Sequence, residues 1–254
     1  MLQKKVEDNV VILTFNDGKT NAITDTILND LRNYLKEAAA DTSIKGVILT
    51  GEGKTFSSGF SLPMFLSFKD VNEVVKFFEV EEEILLELFM FEKPVIAALN
   101  GHTVAGGMIF AMACDYRIMK NHPKIKMGMS EIKIGLPLSI AQWNVVRFGL
   151  DSDKKFRDIM YFGNMFGPEQ ALQLGLIDEL VDEDKLISRA KELINLWKNN
   201  PGNAFTPLKL CVRKETAERI RKELKEGDMK KELQCFFDEN VRKTLEFVQA
   251  AMSK

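Results

Sequence analysis

Metal-binding and redox residues are scarce in this sequence. Its two histidines, His102 and His122, form no ligand cluster, and its three cysteines, Cys114, Cys211 and Cys235, lack CxxC spacing. Cysteines so placed are expected to be reduced, buried thiols, and no metal site is expected. Long apolar runs are missing too: nothing approaches the ~18 residues that a membrane-spanning helix requires. Met1 to Val10 is charged and lacks the apolar stretch of a signal peptide. The expectation is a cytoplasmic chain with no membrane partner. Charge of one sign is also lacking. Basic residues number 35 and acidic residues 37, a net charge of −2, so no basic field is available to hold nucleic acid or an anionic lipid surface.

What is present describes a globular protein. Hydrophobic residues make up 45% of the 254 and charged residues 28%, enough for a sizeable core. The length suits one large domain, or one domain with an appendage. Val10–Phe15 reads as a buried strand, pairs with Leu2–Val6 as a hairpin, and ends at the turn Asn16-Asp17-Gly18. Thr24 caps a helix to about Ala40, with Ile27, Leu28, Leu31, Tyr34 and Leu35 on one face. Gly46–Thr50 is a second strand, Phe56–Leu62 an irregular Ser- and Gly-rich loop, and Val71–Phe91 a long amphipathic helix. Short strands follow at Tyr116–Met119 and Ile125–Met129, and helices at Ile140–Phe148 and at about 152–162, 168–174 and 183–198. Alternation of strand and helix argues an α/β architecture with crossover connections. Asn199-Asn200-Pro201-Gly202-Asn203 is the clearest break. Residues 1–199 are expected to form the core. Residues 200–254, helical mainly over 208–224 and 229–250, are too few for a core of their own and should pack on the domain or on a neighbouring subunit.

The rest of the chain is organised around Lys93–Ile109. Pro94–Leu99 is a short apolar strand broken by Asn100-Gly101; Thr103 is the expected N-cap of a helix that opens with Ala105-Gly106-Gly107. Glycines where a strand turns into a helix fit two readings: a tight turn that only permits packing, or a place where something approaches free N–H groups. Two further stretches follow strands, the loop after Val47–Thr50 and Glu131 after Met129, and ligands of α/β sheets gather at such strand ends. A carboxyl flanked by Met127, Met129, Ile132, Ile134 and Leu136 has its neutral form favoured, which raises its pKa toward the range useful to a general base. By itself Glu131 reads more simply as an ordinary exposed residue at a strand end. Lys19, Lys54 and His102 read most simply as surface or structural residues.

Six motifs in this order resemble the enoyl-CoA hydratase/isomerase (crotonase) superfamily over roughly residues 5–250: Thr20-Asn21-Ala22-Ile23; Gly46–Gly51 with Phe56-Ser57-Ser58-Gly59; Lys93–Ala97 with Asn100-Gly101 and Ala105-Gly106-Gly107; Cys114–Ile118; Met129–Ile132 with Ile134-Gly135; and Ala171–Asp178. The resemblance implies a spiral of ββα units with a helical C-terminal trimerisation region, a homotrimer or dimer of trimers, and an acyl-CoA thioester as substrate, with coenzyme A part of that substrate and no separate cofactor. It implies that the amides of Ser58 and Gly106 hold the thioester oxygen, each such donor contributing about 2.7–4 kcal/mol to lowering the barrier. Substrate contacts are implied for Ala22, Gly59, Phe60, Ser61, Leu62, Gly107, Ile109 and Ser130. Where the family's loop often carries an aspartate, this chain has Ser61.

Hydratases of the family resemble one another in carrying two glutamates, one at the position of Glu131 and one three residues after the oxyanion glycine. That second position is Ile109 here, which can neither hold a water nor exchange a proton with it. A single carboxylate suffices for a Δ3,Δ2-enoyl-CoA isomerase, the branch that the stretch Ala105–Ile118 resembles, and Glu131 is the expected shuttle. Alternative readings are another reaction of the superfamily (hydration of an enoyl- or dienoyl-CoA, C–C or thioester hydrolysis) and a non-catalytic acyl-CoA-binding protein.

Overall fold

The computed structural model describes residues 1–252. The hairpin β1 (Leu2–Glu7) and β2 (Val10–Phe15) leads into α1 (Asp25–Ala40), whose first turn is capped by the Thr24 hydroxyl accepting from Ile27 N–H. From there the chain repeats a single unit: two strands, then helix. Strands β3 (Gly46–Gly51) and β4 (Thr55–Ser57) precede α2 (Leu62–Ser67) and α3 (Val71–Phe89). After β5 (Val95–Leu99) and β6 (His102–Val104) comes α4 (Gly106–Ala113). Then β7 (Tyr116–Lys120) and β8 (Met127–Gly128) lead to α5 (Glu131–Ile134).

Each turn of this spiral gives one strand to each of two sheets. The larger sheet runs β1-β2-β3-β5-β7 and is closed by β10 (Glu179–Val181); the smaller runs β4-β6-β8 and is closed by β9 (Met165–Phe166). Apart from β1 with β2 and β8 with β9, the pairs are parallel. The spiral of ββα units expected from the motifs is therefore present.

The unbroken apolar strands have a simple cause: both faces of the larger sheet are covered. Val11, Leu13, Val47, Leu49, Val95 and Ala97 face the main core with α1, α3 and α4, whereas Val10, Ile12, Ile48, Ile96 and Ala98 face Leu186, Ala190, Leu193 and Ile194 of the helix Leu186–Lys198. The remaining helices are α6 (Ile140–Phe148), α7 (Asp153–Phe162), α8 (Pro168–Leu174), α9 (Leu186–Lys198), α10 (Phe205–Glu226), α11 (Met229–Leu233) and α12 (Glu239–Met252).

Three local expectations are corrected. Thr103 caps nothing: it is fully buried in β6, its hydroxyl donates to Gly101 O at 3.0 Å, and α4 starts after Ala105 without a side-chain cap. The helix expected over 229–250 is broken by a 3₁₀ turn at Gln234–Phe237, after which Asp238 accepts from Asn240 N–H at 2.8 Å and starts α12. The break turns Phe236 inward onto Phe65, with ring centroids 5.0 Å apart. Of the three thiols, all free, only Cys114 is buried; Cys211 is exposed and Cys235 half-buried. No helix among the described residues is long and apolar enough to cross a membrane.

Candidate active site

The loop after β4 is held so that one amide is left over. Ser58 N–H donates to Thr20 O at 2.9 Å, Gly59 N–H to Ser57 Oγ at 3.1 Å, and Ser61 N–H to Ile23 O at 3.0 Å. Ile23 N–H in turn donates to Gly59 O at 2.8 Å, a parallel bridge between Ile23 and Phe60. Only Phe60 N–H in this run has no partner among the described residues. Sequence reasoning placed the first oxyanion donor at Ser58. That amide is already engaged, and the amide of this loop left open to a ligand is that of Phe60. Behind the loop, Asn21 is fully buried and ties three segments together: its side-chain amide donates to Glu52 O at 3.0 Å and to Thr55 O at 2.6 Å, while its oxygen accepts from Asp17 N–H at 3.2 Å.

Across from this loop lies the start of α4. Ala105 has φ +54° and ψ −128°, a conformation costly for a residue with a Cβ. Its amide donates to Gly128 O at 2.9 Å, anchoring the turn to β8. Gly106 N–H, at the positive end of α4, has no partner among the described residues. The two segments touch: a Cβ on Gly59 would lie 2.9 Å from Gly106 N, and one on Gly107 only 2.4 Å from Ser57 O. Glycine at 59, 106 and 107 is thus what lets the Phe60 and Gly106 amides come together. The tight-packing and free-amide readings of this turn are both present.

A cavity of about 260 Å³ opens beside this pair. Ser58, Phe60, Val104, Ala105, Ser130 and Glu131 line it at the loops; Leu62, Phe65, Phe78, Phe236, Leu136 and Gln142 are among its other walls. A second lobe, of about 120 Å³ and lined by Thr20, Ala22, Pro63 and Gln249, shares the wall Ser58–Phe60–Leu62–Met252. Glu131, first residue of α5, buries its Oε2 with no hydrogen-bond partner. Burial raises its pKa to about 7, against the smaller lowering effect of nearby backbone amides. A carboxyl so placed can lose and regain a proton near neutrality.

The remaining expectations separate. Leu62 and Ser130 line the main cavity and Ala22 the smaller lobe. Gly107 packs on β4, and Ile109 is 1% exposed in the core. Ser61 lines neither lobe; its hydroxyl accepts from Met64 N–H at 3.3 Å and caps α2. Lys19 and Lys54 are exposed and line neither lobe, and His102 Nδ1 accepts from Lys126 N–H at 3.2 Å, a structural role. Ile132, expected around Glu131, is 51% exposed. Sequence reasoning missed Phe78, Gln142, Phe236, Val248 and Met252, contributed by helices distant in the chain. The apolar stripes of α3 and α12 were visible, but not what they face.

A family model described as enoyl-CoA hydratase/isomerase matches residues 5–248. The chain is 28% identical over 248 residues to a mitochondrial enoyl-CoA delta isomerase 1 of Rattus norvegicus, covering 96% of this chain and 84% of that one. To a probable enoyl-CoA hydratase of Bacillus subtilis it is 29% identical over 189 residues, 74% of this chain and 72% of that one. The crystal structure of human mitochondrial delta3-delta2-enoyl-CoA isomerase superposes with a TM-score of 0.90 at 24% identity, over 99% of this chain and 98% of that one, which shows the same fold.

Proposed function

The chain belongs to the enoyl-CoA hydratase/isomerase family, and from that premise we propose that it converts a 3-enoyl-CoA into a trans-2-enoyl-CoA. One observation carries the reading. Glu131 is the only carboxyl lining the main cavity among the described residues, and its buried oxygen has no partner there. The position at which the family's hydratases resemble one another in a second glutamate is the buried Ile109.

The thioester oxygen accepts hydrogen bonds from Phe60 and Gly106 N–H. The Glu131 carboxylate removes a proton from C2. The electron pair left behind spreads through C3=C4 and onto the thioester oxygen, where each amide contributes about 2.7–4 kcal/mol of stabilisation. Glu131, now neutral, returns the same proton to C4, the double bond settles between C2 and C3, and the carboxylate is restored. The apolar walls keep water from the dienolate. Rigid main-chain donors suit the task because the turn at Ala105 and the bridge at Ile23 fix them before substrate arrives.

The test is to follow purified protein with a 3-enoyl-CoA and, separately, with a 2-enoyl-CoA in water. Formation of the conjugated 2-enoyl product, its loss in Glu131→Gln, and negligible 3-hydroxyacyl-CoA from the second substrate are expected. A Glu131→Gln protein as active as the parent, or hydration as the dominant reaction, would overturn the proposal.

A further inference from the structure

Behind the acyl side of the cavity lies a feature that the proton shuttle does not use. Glu81 and Glu82, adjacent on α3, are 0% and 1% exposed. Ala141 N–H, in the first turn of α6, donates to Glu82 Oε2 at 2.6 Å. Gln142, the next residue, donates from Nε2 to Glu81 Oε2 at 3.2 Å and accepts at Oε1 from Ser139 N–H at 3.1 Å. Gln142 is itself 2% exposed, yet it is one of the residues that line the cavity.

A carboxamide has two N–H donors and two lone pairs on oxygen. The contacts to Glu81 and Ser139 use one of each, and no other group among the described residues takes the remainder. One N–H and one lone pair are therefore unpaired at a cavity whose lining is mostly apolar, Phe65, Phe78, Phe236, Leu136 and Pro137 among it. An alkyl chain packed there would leave them dry and unmet, whereas an oxygen at that depth would satisfy them. The carboxamide is also fixed, held from two sides by buried partners, so a ligand need not order it first. Burial, and the neighbouring Glu82 charge, push the Glu81 pKa well above the carboxylate range, which favours the neutral acid beside Gln142.

We propose that Gln142 is a specificity-determining residue, oriented by the positioning residue Glu81, that selects acyl-CoA chains carrying a hydroxyl or carbonyl oxygen beyond the reacting carbons over plain alkyl chains. The inference rests on the reading of this cavity as an acyl-CoA site, and its test is made independent of turnover.

Saturated thioesters cannot isomerise, so binding can be read alone. Hexanoyl-, octanoyl- and decanoyl-CoA, and the same chains with a single hydroxyl moved carbon by carbon from C5 outward, are titrated calorimetrically into the wild-type protein, Gln142→Leu, Glu81→Gln and Glu81→Leu. In the wild type, one hydroxyl position is expected to bind about tenfold more tightly than its alkyl counterpart. Gln142→Leu abolishes that gain and tightens binding of the plain chain. Glu81→Gln, which still presents an oxygen to Gln142, keeps the preference, and Glu81→Leu loses it. A wild-type panel with no favoured hydroxyl position, or a preference that survives in Gln142→Leu, overturns the proposal, and the wild-type panel decides without any variant. Binding preference without isomerisation would sink the proposed reaction and leave this inference standing; isomerisation without preference would do the reverse.

Discussion

Two buried acidic regions of this molecule are treated in opposite ways. On the far side of the core, Asp115 meets Lys209 Nζ at 2.8 Å and Arg213 at 3.0 Å, and accepts from Val95 N–H at 2.7 Å. Arg213 also donates to Ala113 O and Cys114 O, tying α10 to the end of α4. On the cavity side, Glu131, Glu81 and Glu82 have no cation within ion-pair distance among the described residues, and each leaves one oxygen without a partner. Where the chain must join two elements, it surrounds a carboxylate with two cations and a backbone donor. At the cavity wall and behind it, the chain leaves carboxyls poorly solvated, which favours their neutral form. The first arrangement ties elements together; the second is the one that the proposed proton transfer and polar recognition would use.

The largest expected effect tests the cavity side of this contrast. Glu131→Gln should lower kcat by about 10²–10⁴ with no loss of thermal stability, measured as isomerisation rate and melting temperature. Retained activity would remove Glu131 from the chemistry. Next, Asp115→Ala leaves Lys209 and Arg213 buried without their counter-charge and should cost about 3–5 kcal/mol in denaturant unfolding, with activity per folded molecule unchanged. A variant as stable as the parent would mean that the far-side cluster is no more than a tolerated pair of charges.

Third, Glu82→Gln separates the two kinds of burial. Burial raises the Glu82 pKa from 4.5 to about 7, against the lowering effect of hydrogen bonds that include Ala141 N–H. Between those values the folded state holds more protons than the unfolded, so the group's contribution to stability falls as pH rises from 4.5 to 7 and is constant above. Glu82→Gln should therefore be more stable than the parent at pH 8 by up to about 3 kcal/mol and equal to it near pH 4.5. Destabilisation at pH 8 would show that Glu82 works as a useful anion and would erase the contrast with Asp115. The smallest effect is on the rate profile: with Glu131 near 7 and active as the carboxylate, kcat/KM should fall about tenfold per pH unit below that midpoint and level off above it. A midpoint near 4.5 would mark an ordinary, solvated carboxylate.

How far these regions were legible beforehand follows from how local their causes are. The strands β2, β3 and β5, and helices α1 and α3, announce themselves through apolar runs, period and caps. The two loops and Glu131 were found because ordered motifs carry them. Phe60 was not identified as the free amide, because that depends on which neighbours already occupy Ser58, Gly59 and Ser61, and those partners, Thr20 and Ile23, sit on another segment. The far wall was hidden for a similar reason: Glu81 and Glu82 lie in a helix whose sequence shows a run of glutamates, a pattern that usually faces water.

By itself the amino-acid order determined most helices, the strands of the larger sheet and the apolar residue at 109, because periodicity and residue identity are written along the chain, whereas the ββα repetition was implied only by the resemblance of its ordered motifs. The tertiary structure alone decided which amide stays unpaired, which acids lose their water, and which distant side chains close the cavity. Those outcomes depend on competition for hydrogen bonds and solvent in three dimensions, and no stretch of chain holds both competitors.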